Sequence, residues 1–176
     1  NPKNEKAQAA IYKGERFFQN QEDSIALFGN GNDYIGFERI IKEFGGTKTA
    51  DLARAYAGIS HSRLGNNEKA LEYLNKFRGG DLLITPAVEG AIGDVYMNMG
   101  NTDKAVSHFQ NAAKKANDEM LSPIYYNKAG LAYLSAKNFG KAIETFQMLK
   151  DKYINSPQGQ EADKYLEAAK LQQAGN

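Results

Sequence analysis

A repeated pattern constrains the fold of this chain more than any other feature of its sequence. Three segments superpose without a gap, and they run from Gly58 to Ala70, from Gly93 to Ala105 and from Gly130 to Ala142. Their first residues lie 35 and 37 positions apart, a period typical of stacked helical hairpins. One such hairpin cannot bury its apolar face alone, so we predict an array of similar hairpins that pack against one another.

The residues at matched positions indicate how the predicted hairpins pack. Glycine and alanine let two helices approach closely, and larger side chains fill the space between one hairpin and the next. An asparagine at the turn tolerates left-handed backbone and can cap the following helix. Lys137 replaces the preceding Gly65 and Gly100 in the third copy, whose turn is expected to differ. The larger residues are His61, Tyr96 and Tyr133 and then Leu74, Phe109 and Phe146, and the asparagines are Asn66, Asn101 and Asn138.

The four prolines predict helix starts independently of the repeat. Each follows a residue that commonly caps helices, and proline at the first helical position loses no hydrogen bond because that amide has no intrahelical acceptor. The pairs are Asn1-Pro2, Thr85-Pro86, Ser122-Pro123 and Ser156-Pro157. The predicted helices therefore cover 50–64 with 67–77, 86–99 with 102–116, 123–136 with 139–153, and 157–173.

The complete prediction is one all-α domain over residues 1–176. Its parts are, in chain order, a degenerate first hairpin (1–45) with helices at 3–20 and 34–44 and an insertion in its turn (21–33), three hairpins (50–80, 86–117 and 123–156) and a polar-faced capping helix (157–176). Insertions in repeat arrays occur in loops. The apolar residues of this insertion, Ile25, Leu27 and Phe28, either fold back onto the first hairpin or dock onto another molecule, and folding back is favoured.

Composition excludes several function classes. The chain has 22 Lys and Arg against 21 Asp and Glu, so its formal charge of +1 gives no broad field to attract nucleic acid or an anionic membrane. It has no cysteine, which removes disulfides, thiolate nucleophiles and cysteine-bound zinc. No apolar run approaches the roughly 20 residues that span a bilayer.

Neither histidine has the neighbours that a metal or catalytic site needs. His61 takes the place of tyrosine in the sister repeats and is expected in the core, whereas His108 is expected to be exposed. Neither has a metal-ligand spacing, and Ser60 cannot readily share a hydrogen bond with the adjacent His61. The loop at 29–33 lacks the ordered acidic ligands of a calcium site and the ending of a phosphate-binding loop. We therefore predict no catalytic residue, no metal and no cofactor.

The repeat resembles the tetratricopeptide repeat, a helix-turn-helix unit of about 34 residues with small residues near its eighth and twentieth places. The three copies cover residues 51–156. The usual tryptophan is absent, and the alanine of the twenty-seventh place survives only as Ala112, where the other copies have Phe77 and Leu149. The resemblance implies a right-handed α-α superhelix of about four hairpins plus a capping helix, with irregular stacking.

More broadly, the chain is similar to the soluble domains of membrane-anchored repeat proteins of bacterial envelopes, among them the ancillary subunit of the Sec translocon. In those proteins an N-terminal helix spans the inner membrane and the repeats face the periplasm. The start at Asn1 and the charged helical leader fit a cut just after such an anchor. The resemblance thus implies a periplasmic location with the anchor removed, and without an anchor the chain would be cytoplasmic.

In the same family the first helix of each hairpin lines the concave side, where the fifth, ninth, twelfth and thirteenth places face the ligand. The predicted partner-binding residues are Ala55, Ile59, Ser62, Arg63, Asp94, Met97, Asn98, Asn127, Leu131, Leu134 and Ser135, with Gly90 at the remaining place. The lysine and asparagine set that clamps a peptide carboxylate in some family members is absent. The expected ligand is therefore a helical or extended apolar-containing segment and not an acidic tail.

The sequence thus predicts a non-enzymatic scaffold that holds a protein or peptide in this groove during assembly of an envelope complex. A second hypothesis is a structural homodimer in which this surface is occupied by the protein's own residues, and sedimentation at several concentrations separates the two. A third hypothesis is an enzyme, for which Asp94 is the only acidic candidate in the groove.

Overall fold

A computed structural model describes residues 1–175, which form ten α-helices and no β-strand. The helices are α1 (Pro2–Gln19), α2 (Asp23–Phe28), α3 (Phe37–Glu43), α4 (Lys48–Arg63), α5 (Asn67–Lys76), α6 (Ile84–Asn98), α7 (Thr102–Ala116), α8 (Ser122–Ser135), α9 (Phe139–Lys152) and α10 (Pro157–Ala174). The predicted all-α fold class is confirmed. The predicted helix ends agree to within one helical turn, and α2 is a helix that the sequence placed in a loop.

Contacts divide the chain into two compact units, Asn1–Gly80 and Asp81–Asn176, which we call unit 1 and unit 2. In unit 1, α4 is the central helix, because α1, α2, α3 and α5 all pack against it. In unit 2 each helix packs against the next from α6 to α10, and α8 also contacts α10. The single domain expected from the sequence stays a prediction.

In three hairpins a glycine of the first helix receives a large side chain of the second helix. A Cβ built on any of these glycines would lie 2.5 to 2.7 Å from an atom of that side chain. Only glycine therefore permits so close an approach within a hairpin. Phe109 and Phe146 also reach the next helix, as the sequence predicted, since Phe109 clusters with Ala129 and Ala132 of α8 and the Phe146 ring stacks on Tyr165 of α10. The pairs are Gly58 with Leu74, Gly93 with Phe109 and Gly130 with Phe146.

The turns that join these helices have the same backbone conformation in all three hairpins. Gly65 and Gly100 have φ of 78° and 76°, and Lys137 has φ of 58° in the same left-handed region. The expectation that the third turn would differ is therefore wrong, because Lys137 adopts a conformation that favours glycine. The side chains of Asn101 and Asn138 accept hydrogen bonds from backbone N–H groups in the following helices, as predicted for caps.

Two of the four prolines begin their helices as predicted. Pro2 and Pro157 follow the caps Asn1 and Ser156, whose side chains accept backbone hydrogen bonds. By contrast, α6 and α8 begin before their prolines, so Thr85 and Ser122 lie inside the helices.

An aspartate upstream explains each early start. The Asp81 carboxylate accepts hydrogen bonds from the N–H groups of Leu83 and Ile84, and the Asp118 carboxylate accepts two from Met120 and Leu121. These carboxylates order the turn before each helix, so the helix starts earlier than its proline.

The insertion of the first hairpin folds back onto unit 1, as the sequence favoured. Ala26 and Leu27 of α2 are fully buried, and the Tyr34 hydroxyl donates a 2.6 Å hydrogen bond to the carbonyl of Ala26. Phe28 departs from this expectation because it is 60% exposed.

Candidate functional site

Two of the four predicted partner-binding residues of unit 1 are not available to a partner. Ala55 is fully buried and Ile59 is 8% exposed, since they belong to the helix that packs against four others. Ser62 is half-buried. The Arg63 guanidinium bonds to the carbonyl of Phe18 at 3.1 Å and to the Asp23 carboxylate at 3.2 Å. We therefore correct the assignment of Ala55 and Ile59, whose side chains are core residues in this structure.

The predicted residues of unit 2 lie on α6 and α8, and they are more accessible. Asn98, Leu131 and Ser135 are exposed. The half-buried members are Asp94, Met97, Asn127 and Leu134. We call the surface formed by these seven residues the α6–α8 face.

An ion pair joins the two helices of this face. The Lys128 ammonium lies 2.7 and 2.8 Å from the two carboxylate oxygens of Asp94, and it also lies 5.6 Å from the centre of the Phe109 ring. Both charged side chains are about two-fifths exposed (38% and 42%). The pair leaves the α6–α8 face with no net charge among the residues named here.

Tyr125 packs beside this ion pair, and the sequence did not single it out. A Cβ on Gly90 would collide with its ring, so the glycine makes room for a side chain from α8. Burial, with a smaller contribution from the Asp94 charge, raises the pKa of Tyr125. A tyrosine hydroxyl is already neutral at physiological pH, so Tyr125 adds no charge to the α6–α8 face.

Lys128 could have been found from the sequence, because it precedes Leu131 by three positions and therefore lies on the same side of α8. By contrast, no sequence signal indicates that the Asn127 side-chain oxygen is buried without a hydrogen-bond partner in residues 1–175.

Both histidines are held by glutamates from distant positions. His61 is buried as predicted, with Nε2 at 2.8 Å from Glu38 and Nδ1 at 3.1 Å from the Asn66 amide. His108 is half-buried rather than exposed, because Nδ1 lies 2.8 Å from Glu89 and its ring stacks on another aromatic ring. No fixed spacing in the sequence links either pair.

The remaining polar features have structural roles in this fold. Ser60 is fully buried with no hydrogen-bond partner among the described residues, so it cannot contact a substrate. In the loop at 29–33, the Asn30 side-chain oxygen accepts backbone hydrogen bonds, and Asp33 bonds to Asn30 and Lys13. The hydrogen bond from Asn30, followed by those with Lys13, lowers the pKa of Asp33. The loop's polar groups thus hold its own conformation.

Two features are absent from residues 1–175. These residues contain no group of three or more His, Asp or Glu residues that could hold a metal ion. None of their helices is long and apolar enough to cross a membrane.

Part of the chain matches a known protein family. The family model of the tetratricopeptide repeat matches residues 91–157, which run from α6 to the first residue of α10. None of the curated proteins compared with the chain matches it. Residues 91–157 are therefore similar to tetratricopeptide repeats, which generally mediate protein–protein interaction.

Proposed function

We propose that this chain is a non-enzymatic scaffold that binds a segment of a partner protein on its α6–α8 face. The observation that carries the proposal is the composition of that face, which combines exposed Leu131 with neighbouring amide and hydroxyl side chains and a neutralised ion pair. Such a surface offers apolar contact and hydrogen bonds but little net charge. It fits an apolar-containing segment better than an acidic tail.

The candidate acidic and nucleophilic side chains are either paired or buried, which supports the proposal that the chain is not an enzyme. Asp94 is paired with Lys128, and Ser60 and His61 are buried. A general base needs hydrogen-bond reach to its substrate, which neither buried residue has in this fold.

We further propose that the scaffold acts in the assembly of an envelope complex, with the repeats facing the periplasm behind an N-terminal anchor. The resemblance to anchored envelope repeat proteins supports this placement. Fractionation of the source cells with an antibody to unit 2 tests it, and recovery in the cytosolic fraction alone would contradict it.

Site-specific photocrosslinking tests the binding face. A photoreactive amino acid at Leu131 should capture a partner in the source cells, whereas the same group at Leu171 should not. Leu171 is a control because it is a leucine of unit 2 that is 74% exposed on α10 and is not one of the seven residues of the α6–α8 face. Equal capture at both positions would reject the α6–α8 face as the binding site.

Binding measurements with the captured partner then test the chemistry. Leu131→Asp should weaken the affinity about 10-fold or more, since it removes the apolar contact of Leu131 and leaves a carboxylate without a partner in the interface. Leu171→Asp should leave it unchanged. Because the face has little net charge, the affinity should vary less than about twofold between roughly 50 and 500 mM salt. A steep salt dependence would favour a charged ligand instead.

Sedimentation separates the proposal from the homodimer hypothesis. A monomer at all concentrations leaves the α6–α8 face free for a partner. Dimerisation that Leu131→Asp abolishes would show that the face is occupied by a second copy, and would overturn the proposal.

A further inference from the structure

The two helices that form the α6–α8 face carry few charged side chains. Between them they have three, Glu89 and Asp94 on α6 and Lys128 on α8. The Glu89 carboxylate is engaged by α7, because its oxygens lie 2.6 Å from the Lys115 ammonium and 2.8 Å from Nδ1 of His108. Asp94 and Lys128 are therefore the two charges of these helices that remain for a ligand.

Asp94 and Lys128 neutralise each other. The Lys128 ammonium lies within hydrogen-bond distance of both Asp94 carboxylate oxygens, and neither side chain forms a second ion pair within residues 1–175. Both side chains remain partly open to solvent, so a ligand can approach either. A ligand carboxylate that approaches Lys128 meets the Asp94 carboxylate as well, and a ligand ammonium that approaches Asp94 also meets Lys128. Attraction and repulsion then nearly cancel.

The ion pair lies beside Leu131, the exposed leucine of the face. Leu131 follows Lys128 by three positions, so the two residues lie on the same side of α8 and about 4.5 Å apart along the helix axis. The Lys128 ammonium is also attracted by the buried Phe109 ring, whose centre lies 5.6 Å away. This attraction does not depend on Asp94, so Lys128 should stay near Leu131 when Asp94 is neutralised. A segment that contacts Leu131 thus brings its neighbouring side chains to the pair.

We infer that the Asp94–Lys128 pair determines the charge selectivity of the α6–α8 face. The inference rests on the proposed function, because it concerns the ligand of the same face. While the pair is intact, a ligand side chain of either charge gives up water without gaining an unopposed partner. Neutral side chains are therefore preferred beside the apolar residue of the bound segment. Loss of one member frees the other, and the face then selects a segment whose charge is opposite to that of the remaining member.

Fluorescence anisotropy with the full chain and three labelled, amidated peptides tests the inference. The neutral peptide is Gln-Gln-Leu-Phe-Gln-Gln, the acidic peptide has glutamate in place of every glutamine, and the basic peptide has lysine there. At about 50 mM salt, the wild type should bind the neutral peptide about threefold tighter than either charged peptide. A wild type that prefers one charged peptide would overturn the inference.

Single substitutions should change the preference in opposite directions. Asp94→Asn should bind the acidic peptide about fivefold tighter than the wild type does, because Lys128 loses its partner. Lys128→Gln should gain about as much for the basic peptide, because Asp94 is then free. Both gains should shrink between about 50 and about 300 mM salt.

Asp33→Asn is the matched control for a freed lysine. It releases Lys13 from an ion pair of the same length, 2.7 Å, whose members are also about half exposed (47% and 53%). This variant should change the affinity for the acidic peptide less than about twofold. Equal gains in Asp33→Asn and Asp94→Asn would show that any freed lysine attracts the peptide, and would overturn the inference.

The double variant Asp94→Asn/Lys128→Gln separates charge from structure. It has neither charge, so it should return to the preference of the wild type for the neutral peptide. A double variant that binds every peptide more weakly than both single variants would show that the pair only holds α6 and α8 together, and would contradict a role in selectivity.

The same titrations distinguish failure of this inference from failure of the proposed function. Binding of the neutral peptide that Leu131→Asp abolishes, with no gain in Asp94→Asn or Lys128→Gln, would overturn the selectivity and leave the function standing. Gains in both variants without binding of the neutral peptide by the wild type would support the selectivity and overturn a neutral ligand. No binding of any peptide at about 1 mM by any of these proteins would overturn both.

Discussion

Replacement of Gly93 by alanine should destabilise unit 2, although alanine is the better helix former. In an exposed helix interior this change stabilises a protein by about 1 kcal/mol. At Gly93 the added methyl would lie 2.5 Å from Cε1 and 2.6 Å from Cδ1 of the Phe109 ring. Overpacking costs about 1–3 kcal/mol, and the ring, which is 2% exposed, has little room to move. The upper end of that range less the propensity gain gives a net loss of about 2 kcal/mol.

Urea unfolding followed by circular dichroism measures this loss. Gly140→Ala is the matched control, because Gly140 is exposed in α9 and a Cβ there would meet only one side-chain atom, at 4.0 Å. This control should be neutral or stabilising by about 0.5 kcal/mol. Phe109→Leu should partly relieve the clash, so the double variant should be about 1 kcal/mol more stable than the sum of the single changes predicts.

The outcome that refutes the reasoning is specific. If Gly93→Ala is as stable as the wild type, the ring has yielded without cost. If its loss simply adds to that of Phe109→Leu, the loss does not come from contact with the ring. The glycine would then be present for a reason other than close packing.

Three further predictions concern turns, acid stability and caps. Lys137→Gly should stabilise the protein by about 0.5–1 kcal/mol, because Lys137 has φ of 58°, and the midpoint of urea unfolding measures it. Burial by itself raises the pKa of Glu89, but hydrogen bonds from Lys115 and His108 outweigh it and hold the pKa below its ordinary value of 4.5. The stability it contributes is therefore present above about pH 4.5 and lost as the pH falls through the folded-state pKa, so Glu89→Gln should flatten the acid side of a series of thermal unfolding temperatures. Asp118→Ala should cost about 1 kcal/mol in urea unfolding, because two backbone N–H groups before α8 lose their acceptor.

The hairpins could be predicted because their cause is local and repeated. Gly93 leaves room for a large side chain from the next helix. Phe109 follows Gly93 at the same distance along the chain as Phe146 follows Gly130. The start of α8 was less predictable. Ser122 and Pro123 both favour a helix start there, but the Asp118 carboxylate orders the preceding turn. The sequence offers two start signals, Ser122-Pro123 and the upstream Asp118. Only the backbone geometry shows where α8 begins between them.

The candidate site was harder to predict because a repeat position determines the direction of a side chain and not what lies in front of it. Ala55 and Asn127 occupy the same place in their repeats, yet the first is fully buried and the second is half-buried. Asp94 and Ile59 likewise share a place, and one carries an ion pair while the other is nearly inaccessible. The surroundings of each helix therefore decide accessibility, and α4 packs against four helices of its own unit. Any surface assigned by repeat position alone must be reduced to the members whose neighbours leave them open, which in this chain excludes Ala55 and Ile59 of α4.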